Sequence, residues 1–198
     1  MIVPSSVSTP VTRPSFTTTR RAYIEEALER RAKYLPIIEP ILERYGLPKG
    51  LSNIAFIESR FIPEARYKDG STVGMWQLSK PTAKTYGLRV GGSGDERRNV
   101  ARSTEAAARF LASLYDSFGD WYLAAAAYNA GPNRVQRALD KAGKSVDVHR
   151  LDFFELTSRG ILSETTREFV AKLGALVIIT EDLERYGFTL PAGDEEKK

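Results

Sequence analysis

The sequence predicts an all-α domain of many short helices around one core, and three observations predict it. Apolar residues recur at helical spacing in successive segments: Leu51, Ile54 and Ala55 in one, Ala107, Phe110, Leu111, Leu114 and Phe118 in another. Capping residues precede such segments and glycines follow them, as with Ser79 and Gly87, Asp120 and Gly131, and Ser163 and Gly187. No strand alternation of note interrupts them, and there is neither a P-loop nor a dinucleotide-binding glycine pattern.

The elements follow in order. Residues 1–19 are rich in Ser, Thr and Pro and read as a flexible lead-in. A first helix starts near Thr19 or Arg20 and carries Tyr23, Ala27 and Leu28. Pro36 suits the first turn of a new helix, and Pro40 predicts a kink or restart because a ring inside a helix removes a hydrogen bond. Gly46 closes that segment, and Pro48 opens the helix "LSNIAFIES". A loop runs through "RFIPEARYKDGSTVG"; Ser79 then caps a short helix ending at Gly87. "RVGGSGDERRN" is a loop by its glycines, after which Ser103 or Thr104 caps a helix that Gly119 ends. Asp120 caps "WYLAAAAYNA", Gly131-Pro132 breaks and restarts the chain, and Gly143 stops the next helix. Residues 144–162 read as irregular, and Ser163 caps a last helix through Tyr186. A polar tail covers 191–198, leaving 20–190 as the folded domain.

The chain of 198 residues can bury a core without staples. It has no cysteine, which excludes disulfides, thiolate nucleophiles and zinc sites built on Cys. The one histidine, His149, has no catalytic motif around it and reads as a surface or structural residue. A metal site would need carboxylates; neither a metal nor a cofactor is expected. The net charge of +4 comes from basic residues scattered among acids, which suits an anionic polymer better than nucleic acid. No apolar run is long enough to span a bilayer. The N-terminus lacks the apolar stretch of an intact signal peptide, so the route of any export stays open.

One residue stands out. Glu58 follows Leu51, Ile54 and Ala55 on the same helical face, near the helix C-terminus. It could be an ordinary helix-end glutamate paired with Arg60. Partial burial and the negative end of the helix dipole would instead keep it protonated. A carboxylic acid neutral near pH 7 suits a general acid, and glycoside cleavage commonly uses one.

The segments "ESRFIPEA" at 58–65, "GMWQLS" at 74–79, "YGL" at 86–88, "AAYNAGPNRV" at 126–135 and "ETTREFV" at 164–170 occur in this order. Together with "DERRNVARSTEAAARFLASLYDSFGDW" at 95–121, this resembles the lysozyme-like lytic transglycosylases of the SLT family, and within it the catalytic domain of the membrane-bound type D. The likeness runs over roughly residues 20–186. It implies a lysozyme-like fold with a glycan-binding cleft, in which the bond between N-acetylmuramic acid and N-acetylglucosamine of peptidoglycan is cut without water. Glu58 would protonate the leaving oxygen and then accept the proton of the muramic C6 hydroxyl, leaving a 1,6-anhydro sugar.

The likeness also implies roles for other residues. Gln77 would hydrogen-bond the sugar or its N-acetyl group, and Tyr128 would contact the acid or the reacting sugar. Asn129, Ala130 and Gly131 would line the glycan path, with the small residues letting it approach the backbone. Ser59 would be structural or substrate-facing, and Met75 and Trp76 would form the cleft floor. Departures from the family pattern mark further candidates. The loop between Glu58 and Gln77 is one residue longer than usual. Tyr67 stands near a usual serine, Ser79 replaces an apolar residue, and Phe169 replaces a tyrosine. Glu164, one position out of register with "TREFV", is the candidate for a second, substrate-side glutamate. The alternatives are a goose-type hydrolase with Asp69, or less well Glu64 or Asp95, as second carboxylate, or a module that binds glycan without cutting it. The expected setting is the periplasm or cell envelope, or a phage-borne enzyme, acting as a monomer.

Overall fold

The computed structural model describes residues 18–143 and 151–189. The expected tail at 191–198, His149 and all but the last two positions of the expected lead-in at 1–19 lie outside these. Helix α1, Thr18–Arg44, runs as one unit through Pro36 and Pro40, against the expected kink or restart. The two prolines are four residues apart on one exposed stripe, so water can satisfy the carbonyls that lose their partners. Ile38, Ile41 and Leu42 are buried on the opposite stripe, where α1 packs on α4, and this packing outweighs the local cost.

Pro48 leads into a 3-10 turn, Lys49–Ser52, and then α2, Asn53–Ser59. A short antiparallel hairpin follows that the sequence pattern did not predict: β1, Thr72–Val73, pairs with β2, Leu78–Ser79. Strands of two residues are too short to show alternation. Ser79 caps α3, Lys80–Thr85, as expected. Helix α4, Val100–Phe118, is capped by Asn99, whose side chain accepts from the Arg102 N–H. Ser103 and Thr104, the expected caps, lie inside α4 and are buried. Asp120 caps α5, Trp121–Ala130, and Gly131 separates it from α6, Pro132–Gly143.

Helix α7, Phe153–Ser158, lies in the stretch expected to be irregular. Its six residues are too few for a periodic signal, but Asp152 accepts from the Glu155 N–H as a regular cap. Ser163 caps α8, Glu164–Glu181, which ends five residues earlier than expected. The chain then turns to Gly187 and buries Phe188.

Helix α5 is the centre of the molecule. Ala124, Ala125, Ala126 and Ala127 are all fully buried, and α4, α6, α7 and α8 pack around them. Four consecutive small side chains let neighbours approach on every side of the helix. No described helix is long and apolar enough to cross a membrane.

Candidate active site

Helix α2 ends just past Glu58 because the chain turns left-handed there. Arg60 and Phe61 both have φ of 57°, and their N–H groups bond back to Phe56 and Ala55 carbonyls. Two non-glycine residues in this region cost about 1–2 kcal/mol each. Burial of the Phe61 ring, edge-on against Phe56, offsets part of this. Arg30 of α1 adds a hydrogen bond of 2.8 Å from its Nε to the Arg60 carbonyl.

The turn is then tied to the hairpin. Ser59 Oγ donates to the Met75 carbonyl at 2.7 Å and accepts from the Ile62 N–H, which ties the end of α2 to the loop. Gly74 has φ of 89°, and a Cβ on it would meet the Arg97 carbonyl oxygen at 1.9 Å. Only glycine fits both demands. Met75 and Trp76 are fully buried, and Trp76 Nε1 donates to Thr104 Oγ1 at 2.9 Å, which makes them floor residues.

Gln77 sits at φ of 46° with its side chain folded into its own loop. Nε2 donates to the carbonyls of Gly74 at 2.7 Å and Ala65 at 3.3 Å, while Oε1 accepts from Thr72 Oγ1 at 2.7 Å. Both amide donors are thereby engaged. Tyr128 donates its hydroxyl to the Trp76 carbonyl at 2.7 Å, so that proton is committed to the floor rather than to Glu58. Burial, and then the nearby Glu58 charge, push the Tyr128 phenol well above its usual pKa.

These ties frame a cavity of about 490 Å³. Glu58, Gln77 and Ser79 border it on the α2 and hairpin side, and Tyr128, Asn129, Ala130 and Gly131 on the α5 side. Leu78, Phe110 and Pro132 add apolar wall. Burial alone raises the Glu58 pKa to about 7, and among the described residues no hydrogen bond reaches its carboxyl. The group can therefore hold a proton near neutral pH and give it to something entering the cavity.

The Transglycosylase SLT domain matches residues 36–149. The chain belongs to the transglycosylase SLT family. The chain is 34% identical over 181 residues to a membrane-bound lytic murein transglycosylase D of Escherichia coli, covering 89% of this chain and 38% of that relative. It is 47% identical over 87 residues to the peptidoglycan transglycosylase gp16 of Escherichia phage T7, covering 43% of this chain and 6% of that protein. The chain thus spans well under half the length of these relatives. A lytic transglycosylase Slt of Pseudomonas aeruginosa has the same fold, with a TM-score of 0.60 at 23% identity over 81% of this chain and 26% of that one.

The other sequence candidates divide. Tyr67 is exposed and borders the Glu58 cavity. Ser79 also borders it, but its Oγ serves as the α3 cap, accepting from the Thr82 N–H. Asn129 borders the cavity with no side-chain partner among the described residues, which leaves its amide available. Glu164 is the exposed first residue of α8 and borders none of the described cavities. Phe169 is a buried core residue.

The rival carboxylates face elsewhere. Asp69 is exposed, outside the cavity lining, and its Oδ1 accepts from the Ser71 N–H at 2.8 Å; hydrogen bonding with Ser71 lowers its pKa. Glu64 pairs with Arg98 at 3.0 Å. Asp95 is buried against Arg97, with N–O of 2.7 Å, and that pairing pulls its pKa down to about 2. Sequence reasoning missed the partner of Asp95. Arg97 also donates to the Leu78 carbonyl at 3.0 Å and so supports β2 from beneath. The run "DERRN" carries no sign of this, because a charge run ordinarily reads as a solvated face. Thr72 was missed as well, since a lone threonine in a loop gives no signal until its glutamine partner is known.

Proposed function

We propose that this protein is a peptidoglycan lytic transglycosylase with Glu58 as its only acid–base group. One observation carries the reading: Glu58 is the sole carboxyl among the described residues that border its cavity. Inverting hydrolysis needs a second carboxylate to activate water. A reaction whose nucleophile belongs to the substrate does not.

The neutral Glu58 carboxyl gives its proton to the glycosidic oxygen as the bond from C1 to that oxygen breaks. The muramic C6 hydroxyl then adds to C1, and its proton returns to the Glu58 carboxylate. Glu58 ends as it began, and the products are a 1,6-anhydro end and a free hydroxyl on the leaving sugar. Asn129 and the backbone at Ala130 and Gly131 contact the glycan; Tyr67 forms an outer wall. Gln77, Ser59 and Tyr128 hold the hairpin and floor against α2, and so fix where Glu58 points. Ser79 acts through its cap, and Glu164 keeps no place in the reaction. The relatives named for murein or peptidoglycan support that polymer as substrate, acted on in the periplasm or cell envelope, or from a phage.

The test is mass spectrometry of peptidoglycan incubated with the protein and with its Glu58→Gln variant. Anhydro-muropeptides are expected from the parent, with about 10²–10⁴-fold less from the variant. Reducing ends instead would return the hydrolase reading, and no products from either would leave a binding module.

A further inference from the structure

The run "GDERRN" at 94–99 forms part of the loop before α4, and within it Asp95 and Arg97 are only 8% and 2% exposed. Arg97 Nε and Nη2 donate to the two Asp95 oxygens at 3.0 and 2.7 Å. Such a fork fixes the plane of the guanidinium. Nη1 is then left with one direction, and along it donates to the Leu78 carbonyl at 3.0 Å. The Arg97 carbonyl lies against Gly74, close enough that a Cβ there would overlap it. One residue thus touches both ends of the turn that joins β1 to β2.

Four carbonyls of this turn have side-chain donors. Gln77 donates to Gly74, Ser59 of α2 to Met75, Tyr128 of α5 to Trp76 and Arg97 to Leu78. Of the four donors, Arg97 alone is charged, and it alone comes from a loop that does not border the Glu58 cavity. Gln77 and Leu78, by contrast, are wall residues of that cavity. A buried ion pair is a weak source of stability, because withdrawing two charges from water offsets most of their attraction. What the fork supplies is a single arrangement of the turn it grips.

Taking the glycan-cleaving reading as its basis, we propose that Asp95 and Arg97 are positioning residues for that reaction, holding the Gln77–Leu78 wall in the register with Glu58 that proton transfer requires. Neither side chain touches substrate. Arg97 acts through Gly74 and the Leu78 carbonyl, and Asp95 acts through Arg97.

The test compares the parent with Arg97→Lys and Asp95→Asn on soluble peptidoglycan strands. Lysine keeps the charge but has no planar fork with which to serve both Asp95 oxygens and the Leu78 carbonyl. Asparagine keeps the side-chain volume but turns an amide N–H toward the guanidinium. Leu156→Ala is the control. Leu156 is fully buried in α7, which packs on α5 and α6, and its truncation lowers stability through a cavity. All are measured well below their unfolding temperatures.

Both pair variants are expected to lose about tenfold or more in kcat with KM changed less than about twofold, since a misplaced wall spoils alignment rather than affinity. Water admitted at the loosened wall should also lower the Glu58 pKa from about 7, seen by carboxyl NMR and as an alkaline limb of kcat moved to lower pH. The other titratable groups facing Glu58 among the described residues are Tyr128 and Tyr67 and, across a second cavity, Tyr23, Arg60 and Arg66. The Arg60 guanidinium lies over the Tyr23 ring, 4.0 Å from its centroid, and all five stay in place in these variants. Leu156→Ala should keep both kcat and the Glu58 titration.

Where Arg97→Lys does not fold, Asp95→Asn gives the same comparison. An unchanged kcat in the pair variants overturns the assignment, as does an unmoved Glu58 titration or an equal loss of kcat in Leu156→Ala. Anhydro products from the parent with any of these results would overturn the positioning role alone. A Glu58 titration that falls in the pair variants, with no anhydro products from the parent, would overturn the reaction and keep the hold of the pair on the wall.

Discussion

Glu58, at the end of α2, and Asp95, in the loop before α4, are two carboxyl groups that the fold withdraws from water. They are driven in opposite directions. Glu58 has no described hydrogen-bond partner and its pKa rises to about 7. Asp95 accepts from Arg97 Nε, Nη2 and backbone N–H, and its pKa falls to about 2. Burial raises both groups, and at Asp95 the hydrogen bonds from Arg97, with its charge, reverse the outcome. A withdrawn carboxyl is therefore a candidate acid only where its surroundings withhold a partner. The surroundings do this: Ser59 of α2, Gln77 of the hairpin turn and Tyr128 of α5 donate to backbone carbonyls of Met75, Gly74 and Trp76 instead of to Glu58.

The largest expected effect comes from removing the cation at Asp95. Arg97→Met strands a buried carboxylate and frees the Leu78 carbonyl, and should lower stability by roughly 3 kcal/mol in denaturant unfolding. The Asp95 pKa should rise in the variant, which carboxyl NMR would report. In the parent, the pairing stabilises the fold above pH 3.8, the unfolded value, and is lost as pH falls through about 2.

Glu58 has the opposite sign. Its folded pKa lies above the ordinary 4.5, so the native state binds the extra proton between there and about 7. Parent stability should fall through that window relative to Glu58→Gln, by about 2 kcal/mol after allowing for water at the carboxyl. Turnover should decline above about pH 7, where the acid is lost. An unfolding series and a pH–rate profile check the two limbs separately. A flat stability difference would mean that Glu58 is solvated.

Tyr128→Phe sharpens the comparison with the smallest change. It removes one hydrogen bond to the Trp76 carbonyl and should cost about 1 kcal/mol, with turnover reduced through a looser floor. If the phenol instead touched the reacting atoms, the loss would appear in kcat with stability unchanged.

The sequence by itself determined the helical architecture, most helix limits and the place of Glu58 on the apolar face of its helix. Periodicity and caps act over a few residues, so α4, α5 and the Ser79, Asp120 and Ser163 caps were legible. Glu58 was legible because it shares a face with Leu51, Ile54 and Ala55. The motif around Gln77 marked the right loop but not its chemistry, since a polar side chain does not announce whether it meets substrate or its own backbone. Only the tertiary structure decided that, and decided that Asp95 pairs with Arg97, that α1 survives its prolines and that Tyr23 reaches Arg60. The reason is physical. A partner such as the Trp76 carbonyl, 52 residues from Tyr128, becomes available only once the chain between them has closed, and no local pattern records which polar groups that closure will bring together.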